Sequence, residues 1–256
     1  MVGVATELGW SESKLSRIET AVTGVRNSDL ERLLSLYGVC SKDKAHLLAL
    51  AGQSRQKAWW EVYGDALPNQ YEVYIGFEAE ASAISTYEAQ VVPGLLQTAE
   101  YASVVTRADG VFNDPEVIEQ RVAVRMARQA VLAREKPPTL WAILDEAVLR
   151  RPIGGPNVMR RQLLRLVEAS ELPMVTIQVL PFSVGAHRAL AGSFVVLEFA
   201  SGPEHALVHS ESLTGGLLRD KPEDVRSYRV SFEALRATAL SPEESVQFIT
   251  SIAHER

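Results

Sequence analysis

The sequence predicts an α+β protein, in which a small all-α N-terminal segment precedes a mixed body with about four strands. Short amphipathic helical patterns separated by glycines fill residues 4–50. Helical patterns then alternate with apolar runs of strand length as far as the C-terminus. The length of 256 residues allows one small and one large domain. We therefore place one domain at residues 1–57 and the other at residues 58–256.

The composition excludes several classes of protein. Hydrophobic residues make up 46% and charged residues 23% of the chain, as in ordinary globular proteins. The single cysteine, Cys40, cannot form an internal disulfide or a thiolate metal cage. No apolar run reaches the length of a membrane span, and the N-terminus lacks the pattern of a signal peptide. These features predict a cytoplasmic protein that has no membrane segment.

Charge is distributed unevenly between the two predicted domains. Residues 1–57 carry eight Lys/Arg and six Asp/Glu, which leaves most of the negative charge in the remainder of a chain whose net charge is −6. A weakly basic segment on an acidic body is compatible with nucleic-acid contact by that segment alone.

Local signals divide the N-terminal domain into four short helices. The first carries an apolar face and ends at Gly9, and Ser11 is a good N-cap for the second. The third begins at Ser28, with a glutamate in capping-box position, and ends at Gly38. A fourth spans residues 41–50.

The body contains further helices and strands. We predict helices at residues 71–92, 95–107, 114–133, 158–170, 222–238 and from 241 onward. We predict strands at residues 140–144, 175–180, 194–199 and 206–208.

Residues 4–19, VATELGWSESKLSRIE, meet the requirements of a helix-turn-helix. Ala5 is small enough for two helices to cross closely, and Gly9 tolerates the positive φ of the turn. Leu15 and Ile18 hold the second helix against the domain core. Its outward face presents side chains that can reach phosphates and base edges in a major groove: Glu12, Ser13, Lys14, Ser16 and Arg17. The alternative interpretation is a structural helix pair with a solvated polar face.

Together with stretches further along the chain, this motif resembles one family. LGWSESKLSRIE followed by DLERLLSLYGV is similar to the Xre/Cro-type helix-turn-helix of actinobacterial WhiJ-like, antitoxin-like regulators. Similar stretches in the body are GFEAEAS, VPGLLQTAEYA, RVAVRMARQ, LDEAVLRRPIGG, VLPFSVGAH, GSFVVLEF, ESLTGG and ALSPEES. The resemblance implies a transcriptional regulator, often paired with a small protein encoded next to it.

The chain departs from this family at its N-terminus. In the family a further helix precedes the one that contains Val4, whereas this sequence starts just before it. We therefore expect the first helix to be missing and an apolar face with Val4, Leu8, Leu15 and Leu33 to be left exposed. We expect this face to be covered by the body or by a second copy, or the segment to be mobile, with low affinity for DNA in each case.

No constellation of residues predicts an enzyme. His205 and His209 are four residues apart in a predicted strand, which separates their imidazoles by about 13 Å, too far for a shared metal ion. The sequence has no GxSxG nucleophile elbow, and Gly154-Gly155-Pro156 lacks the Lys-Ser/Thr of a phosphate-binding loop. We predict no catalytic residue, no metal and no cofactor.

Candidate residues for binding a ligand or partner lie in the second domain. Arg125 is the centre of a basic stripe with Arg121 and Arg128, which is either a solvated face or a docking surface for an acidic partner or ligand. Trp59 and Trp60 belong to an aromatic cluster that forms either a pocket or the seam between the domains. Three further residues are assigned to the same pocket: His187, Glu198 and Glu211.

The main hypothesis is a regulator that binds double-stranded DNA as a homodimer, with a body that binds a small protein or a metabolite. Two alternatives stay open. One is a ligand- or partner-binding module that has lost DNA binding with its first helix. The other is a repurposed biosynthetic enzyme that uses a pocket near His187 and Glu198.

Overall fold

A computed structural model describes residues 2–19, 25–41, 43–44, 47–48, 67–108, 110, 114–200, 202–212 and 215–256. The chain divides into two compact units, Met1–Glu61 and Val62–Arg256. Across these described ranges, no helix has both the length and the apolar character needed to cross a membrane.

The N-terminal unit contains helices α1 (Val2–Leu8), α2 (Glu12–Glu19) and α3 (Asn27–Leu36). Gly9 has a φ of 65°, and the Ser11 hydroxyl accepts a hydrogen bond from the backbone of α2, so the predicted turn and N-cap are confirmed. Helix α3 begins at Asn27, one residue before the predicted start at Ser28, and its N-cap residue is Arg26, whose side chain makes no capping hydrogen bond. The predicted fourth helix lies largely outside the described residues.

The three helices bury a small apolar core of their own. Leu8, Leu15 and Leu33 are only 5%, 0% and 6% exposed, and Val4 is half-buried beside them. The expectation of an exposed face at these residues is therefore wrong, because the leucines pack against one another and against their neighbours. Arg32 of α3 also donates a hydrogen bond of 2.7 Å to the carbonyl of Leu8, which joins α3 to the end of α1.

The C-terminal unit contains helices and strands in alternation. The helices are α4 (Asn69–Glu80), α5 (Ala99–Ala108), α6 (Pro115–Arg128), α7 (Glu146–Arg150), α8 (Gly155–Ser170), α9 (Pro222–Thr238) and α10 (Pro242–His254). The strands are β1 (Ala83–Glu88), β2 (Thr139–Asp145), β3 (Val175–Leu180), β4 (Phe194–Phe199), β5 (Gly202–Ser212) and β6 (Gly215–Arg219).

The α+β class is confirmed, but the prediction of about four strands is wrong, because the described residues form a six-stranded sheet. The predicted helix at residues 71–92 ends at Glu80, and strand β1 follows it. Strand β1 forms because it hydrogen-bonds to β2 on one side and β4 on the other. That pairing satisfies its backbone groups with residues far along the chain, which no local pattern reports.

The sheet has the order β3-β2-β1-β4-β5-β6. Strands β1, β2 and β3 are parallel, and β1, β4, β5 and β6 are successively antiparallel. Helices cover both faces. Leu163 of α8 and Ile249 of α10 pack in the core on the face that includes Ile84, whereas Phe232 of α9 packs with Tyr87 on the other. Alternation along β1 therefore turns Thr86 and Glu88 toward the face with Ile84.

Candidate functional site

Helix α2 carries the predicted DNA-binding residues on the surface of the N-terminal unit. Leu15 is fully buried and anchors the helix. The opposite side of the helix presents the predicted polar residues. Glu12, Ser13, Lys14 and Arg17 are exposed, and Ser16 is half-buried. The local fold thus gives α2 one anchored face and one polar face, as a recognition helix requires.

The two cations on this face are in different environments. Lys14 Nζ lies 2.8 Å from Asp29 Oδ2 and 4.1 Å from the centroid of the Trp10 ring. Arg17 is exposed and makes no ion pair with the residues that the structure describes. Arg17 is therefore available to an external anion, whereas Lys14 must first leave Asp29.

The C-terminal unit contains an open cavity of about 130 Å³ on the face of the sheet that includes Ile84. A single water molecule needs roughly 10–15 Å³ of cavity volume, so this cavity has room for a small molecule. Its walls come from α4, residues 91–97, α6 and strands β1, β4 and β5. The charged and ring-nitrogen side chains that line it are Glu78, Glu88, Arg125, Arg128, His209 and Glu211.

A buried ion pair forms part of the cavity wall. Arg128 Nε lies 2.8 Å from Glu78 Oε1, and Arg128 Nη2 lies 2.7 Å from Glu78 Oε2. The two residues are 7% and 3% exposed. The Tyr74 hydroxyl donates to Glu78 Oε2 at 3.0 Å, and Arg128 Nη1 donates to the Tyr71 hydroxyl. This network fixes α6 against α4 and neutralises both charges.

The interpretation of the basic stripe on α6 as a solvated face is wrong for Arg128, because Arg128 is buried. Arg125 is half-buried and donates from Nη1 to Gln97 Oε1 at 3.1 Å. Gln97 in turn donates from Nε2 to the Val92 carbonyl at 2.6 Å. Arg125 is therefore held in the cavity wall by a fixed amide.

Two carboxyl groups stand on the strand side of the cavity. Thr86 Oγ1 donates to Glu88 Oε1 at 3.2 Å. Burial, followed by the neighbouring charge of Glu211, raises the pKa of Glu88 to about 8, against the opposing effect of hydrogen bonds from Ser193 and Thr86. Glu88 therefore holds its proton at neutral pH.

His209 lies beside these carboxyl groups on β5. It is 6% exposed, and its ring centroid lies 4.3 Å from that of Tyr74. Burial lowers the pKa of His209, with the charge of Glu211 acting in the opposite direction. A neutral imidazole can both donate and accept a hydrogen bond.

The structure brings together two of the predicted pocket residues, Arg125 and Glu211, which both line the cavity. His187 instead packs against Tyr87, with ring centroids 5.6 Å apart, beside the core on the other face of the sheet. Glu198 Oε1 lies 2.6 Å from Arg229 Nη2 and does not line the cavity. Trp59 and Trp60 lie outside the described residues.

Sequence reasoning missed the residues that give the cavity most of its chemistry, Glu78, Glu88 and Gln97. One usable signal was present, because Tyr71, Tyr74 and Glu78 have the i, i+3, i+7 spacing of one helix face. Nothing local relates Glu78 to Arg128, since fifty residues separate them.

Comparison with known families gives two matches. A family described as a helix-turn-helix domain matches residues 2–48. A family described as a domain of unknown function, DUF5753, matches residues 71–251 and includes the entire cavity. No curated protein and no solved structure matches the chain.

Proposed function

Since the chain belongs to the DUF5753 family and carries a helix-turn-helix domain ahead of that region, we propose that it is a transcriptional regulator that binds DNA through α2 and a small ligand through its C-terminal cavity. The helix-turn-helix domain suggests a DNA-binding regulator rather than an enzyme. The observation that carries the proposal is the polar face of α2, which is exposed while Leu15 anchors the helix from behind.

The cavity supports the sensory half of the proposal. It is large enough for a small molecule and is lined by fixed charged groups, as ligand sites commonly are. A ligand that binds more tightly to the DNA-binding state than to the other state raises DNA affinity, and the reverse preference lowers it. The homodimer and the small protein partner stay predictions.

We expect Arg17→Ala to weaken binding to DNA from the gene's own upstream region by about tenfold, on the scale of 1–3 kcal/mol per good contact. Lys14→Ala should cause a smaller loss, because Lys14 must give up its ion pair with Asp29 before it can reach DNA. Fluorescence anisotropy at several salt concentrations measures both. A shallower salt dependence indicates a phosphate contact, and relaxed sequence preference indicates a base contact.

Arg188→Ala is the matched control, because Arg188 is an exposed arginine in the C-terminal unit. Its DNA affinity should equal that of the unaltered protein. If Arg17→Ala binds DNA as tightly as this control does, α2 is not the recognition helix.

A further inference from the structure

We infer that the cavity of the C-terminal unit binds a small zwitterion of the amino-acid class, with its carboxylate at Arg125 and its ammonium group between Glu88 and Glu211. The inference rests on the proposed function, because it names the ligand of the cavity that the proposed function assigns to sensing.

Arg125 supplies the anion-binding end. Its guanidinium carries five N–H donors. Gln97 accepts one hydrogen bond from this guanidinium, and no carboxylate among the described residues forms an ion pair with Arg125. A guanidinium with donors to spare binds a carboxylate through two parallel hydrogen bonds. Gln97 is itself held by the Val92 carbonyl, so the direction of Arg125 is set before the ligand arrives.

Glu88 and Glu211 supply the cation-binding end. They come from strands β1 and β5, and within the part of the chain that is described neither forms an ion pair. The remaining charges of the lining, Glu78 and Arg128, neutralise each other. Two carboxyl groups therefore stand together without a counter-charge, and an ammonium group between them would favour the ionised form of both.

His209 adds an imidazole to the lining of the cavity. It is 6% exposed, lines the cavity and packs its ring against that of Tyr74. A ring nitrogen at this position can donate a hydrogen bond to a bound ligand or accept one from it. The described residues bring no three metal-binding side chains together, which favours an organic ammonium group over a metal ion.

The test begins with the full chain and the common α-amino acids as probes at millimolar concentration. At least one should raise the melting temperature, because a ligand that binds only the folded state stabilises it. The best probe is then compared by calorimetry with the amine that lacks its carboxylate and the acid that lacks its ammonium group. Each analogue should bind roughly tenfold more weakly, as expected for the loss of a charged hydrogen bond.

Variants that remove one charge then test which residue binds the carboxylate of the ligand and which binds its ammonium group. Arg125→Gln should weaken binding of the amino acid about tenfold and leave the affinity for the amine unchanged, because the amine makes no contact with Arg125. Glu211→Gln should weaken binding of both the amino acid and the amine and leave the affinity for the acid unchanged. Glu211 is exposed, so this variant keeps the test decisive even if Arg125→Gln does not fold. Arg188→Gln and Glu171→Gln, both at exposed positions outside the cavity, are matched controls and should bind like the unaltered protein.

The inference is overturned if no amino acid shifts the melting temperature, or if Arg125→Gln weakens the amine as much as the amino acid. These measurements contain no DNA, so they do not depend on the regulator hypothesis. An amino acid that binds as described but leaves DNA affinity unchanged would support the inference and contradict the proposed function.

Discussion

Arg128→Met is expected to lower the free energy of unfolding by about 3–5 kcal/mol, because it leaves the buried Glu78 carboxylate without its counter-charge. Glu78 is 3% exposed and accepts two hydrogen bonds from Arg128. The tyrosine hydroxyl of Tyr74 that remains beside it cannot replace a full charge. Urea unfolding at neutral pH measures the loss.

Two further variants identify the cause of that loss. Arg161→Met removes an exposed ion pair with Glu100, in which the atoms are 3.6 Å apart, and should cost less than about 1 kcal/mol. The double variant Arg128→Met/Glu78→Leu removes both buried charges and should recover most of the stability. If the double variant is less stable than Arg128→Met alone, the loss comes from packing and not from the unpaired charge.

Glu88→Gln is expected to stabilise the protein relative to the unaltered chain as the pH rises from 5 to 8.5. Folded Glu88 holds its proton until about pH 8, whereas an unfolded glutamate loses it near 4.5. The folded state therefore binds more protons between these values, and its stability falls as the pH rises through them. A neutral glutamine has no proton to lose. At about 1.4 kcal/mol per pH unit, and with solvent screening of a half-buried group, the gain should reach about 2–4 kcal/mol.

Urea unfolding of both proteins across this pH range measures the effect of Glu88. Glu88 interacts with Glu211 on β5, Ser193 ahead of β4, Thr86 on its own strand, and the hydroxyl groups of Tyr87 and Tyr101. Glu119→Gln, at an exposed position on α6, is the control, and its stability should follow the unaltered protein at every pH. If the free energy of unfolding of Glu88→Gln also runs parallel to that of the unaltered protein across this pH range, the Glu88 carboxyl is already ionised at neutral pH.

Several elements could be predicted from the sequence because their signals are local. The helix predicted from residue 241 onward is α10, and it begins with a capping box at Ser241 in which both reciprocal hydrogen bonds form. Strands β3 and β4 and helix α9 have the predicted bounds. Asp114 caps α6 by accepting from the backbone of Glu116. Caps, turns and hydrophobic periodicity depend on residues within a few positions of one another, so a single sequence contains the information.

Strand β1 and the cavity could not be predicted in this way. Residues 83–88 follow a helix and continue its apolar character, and only pairing with β2 and β4 makes them a strand. That strand brings Glu88 to the same cavity as Glu211, and the packing of α6 on α4 brings Arg128 to Glu78.

The sequence by itself determined the α+β class, the turn at Gly9, the anchored helix α2 and the polar residues on its outer face. The tertiary structure alone decided which charges are neutralised and which remain available in the cavity. The reason is physical: ion pairing and burial depend on distances of a few ångströms between residues fifty or more positions apart, as for Glu78 and Arg128. Strand pairing and helix packing set those distances, and neither is encoded within a local stretch of chain.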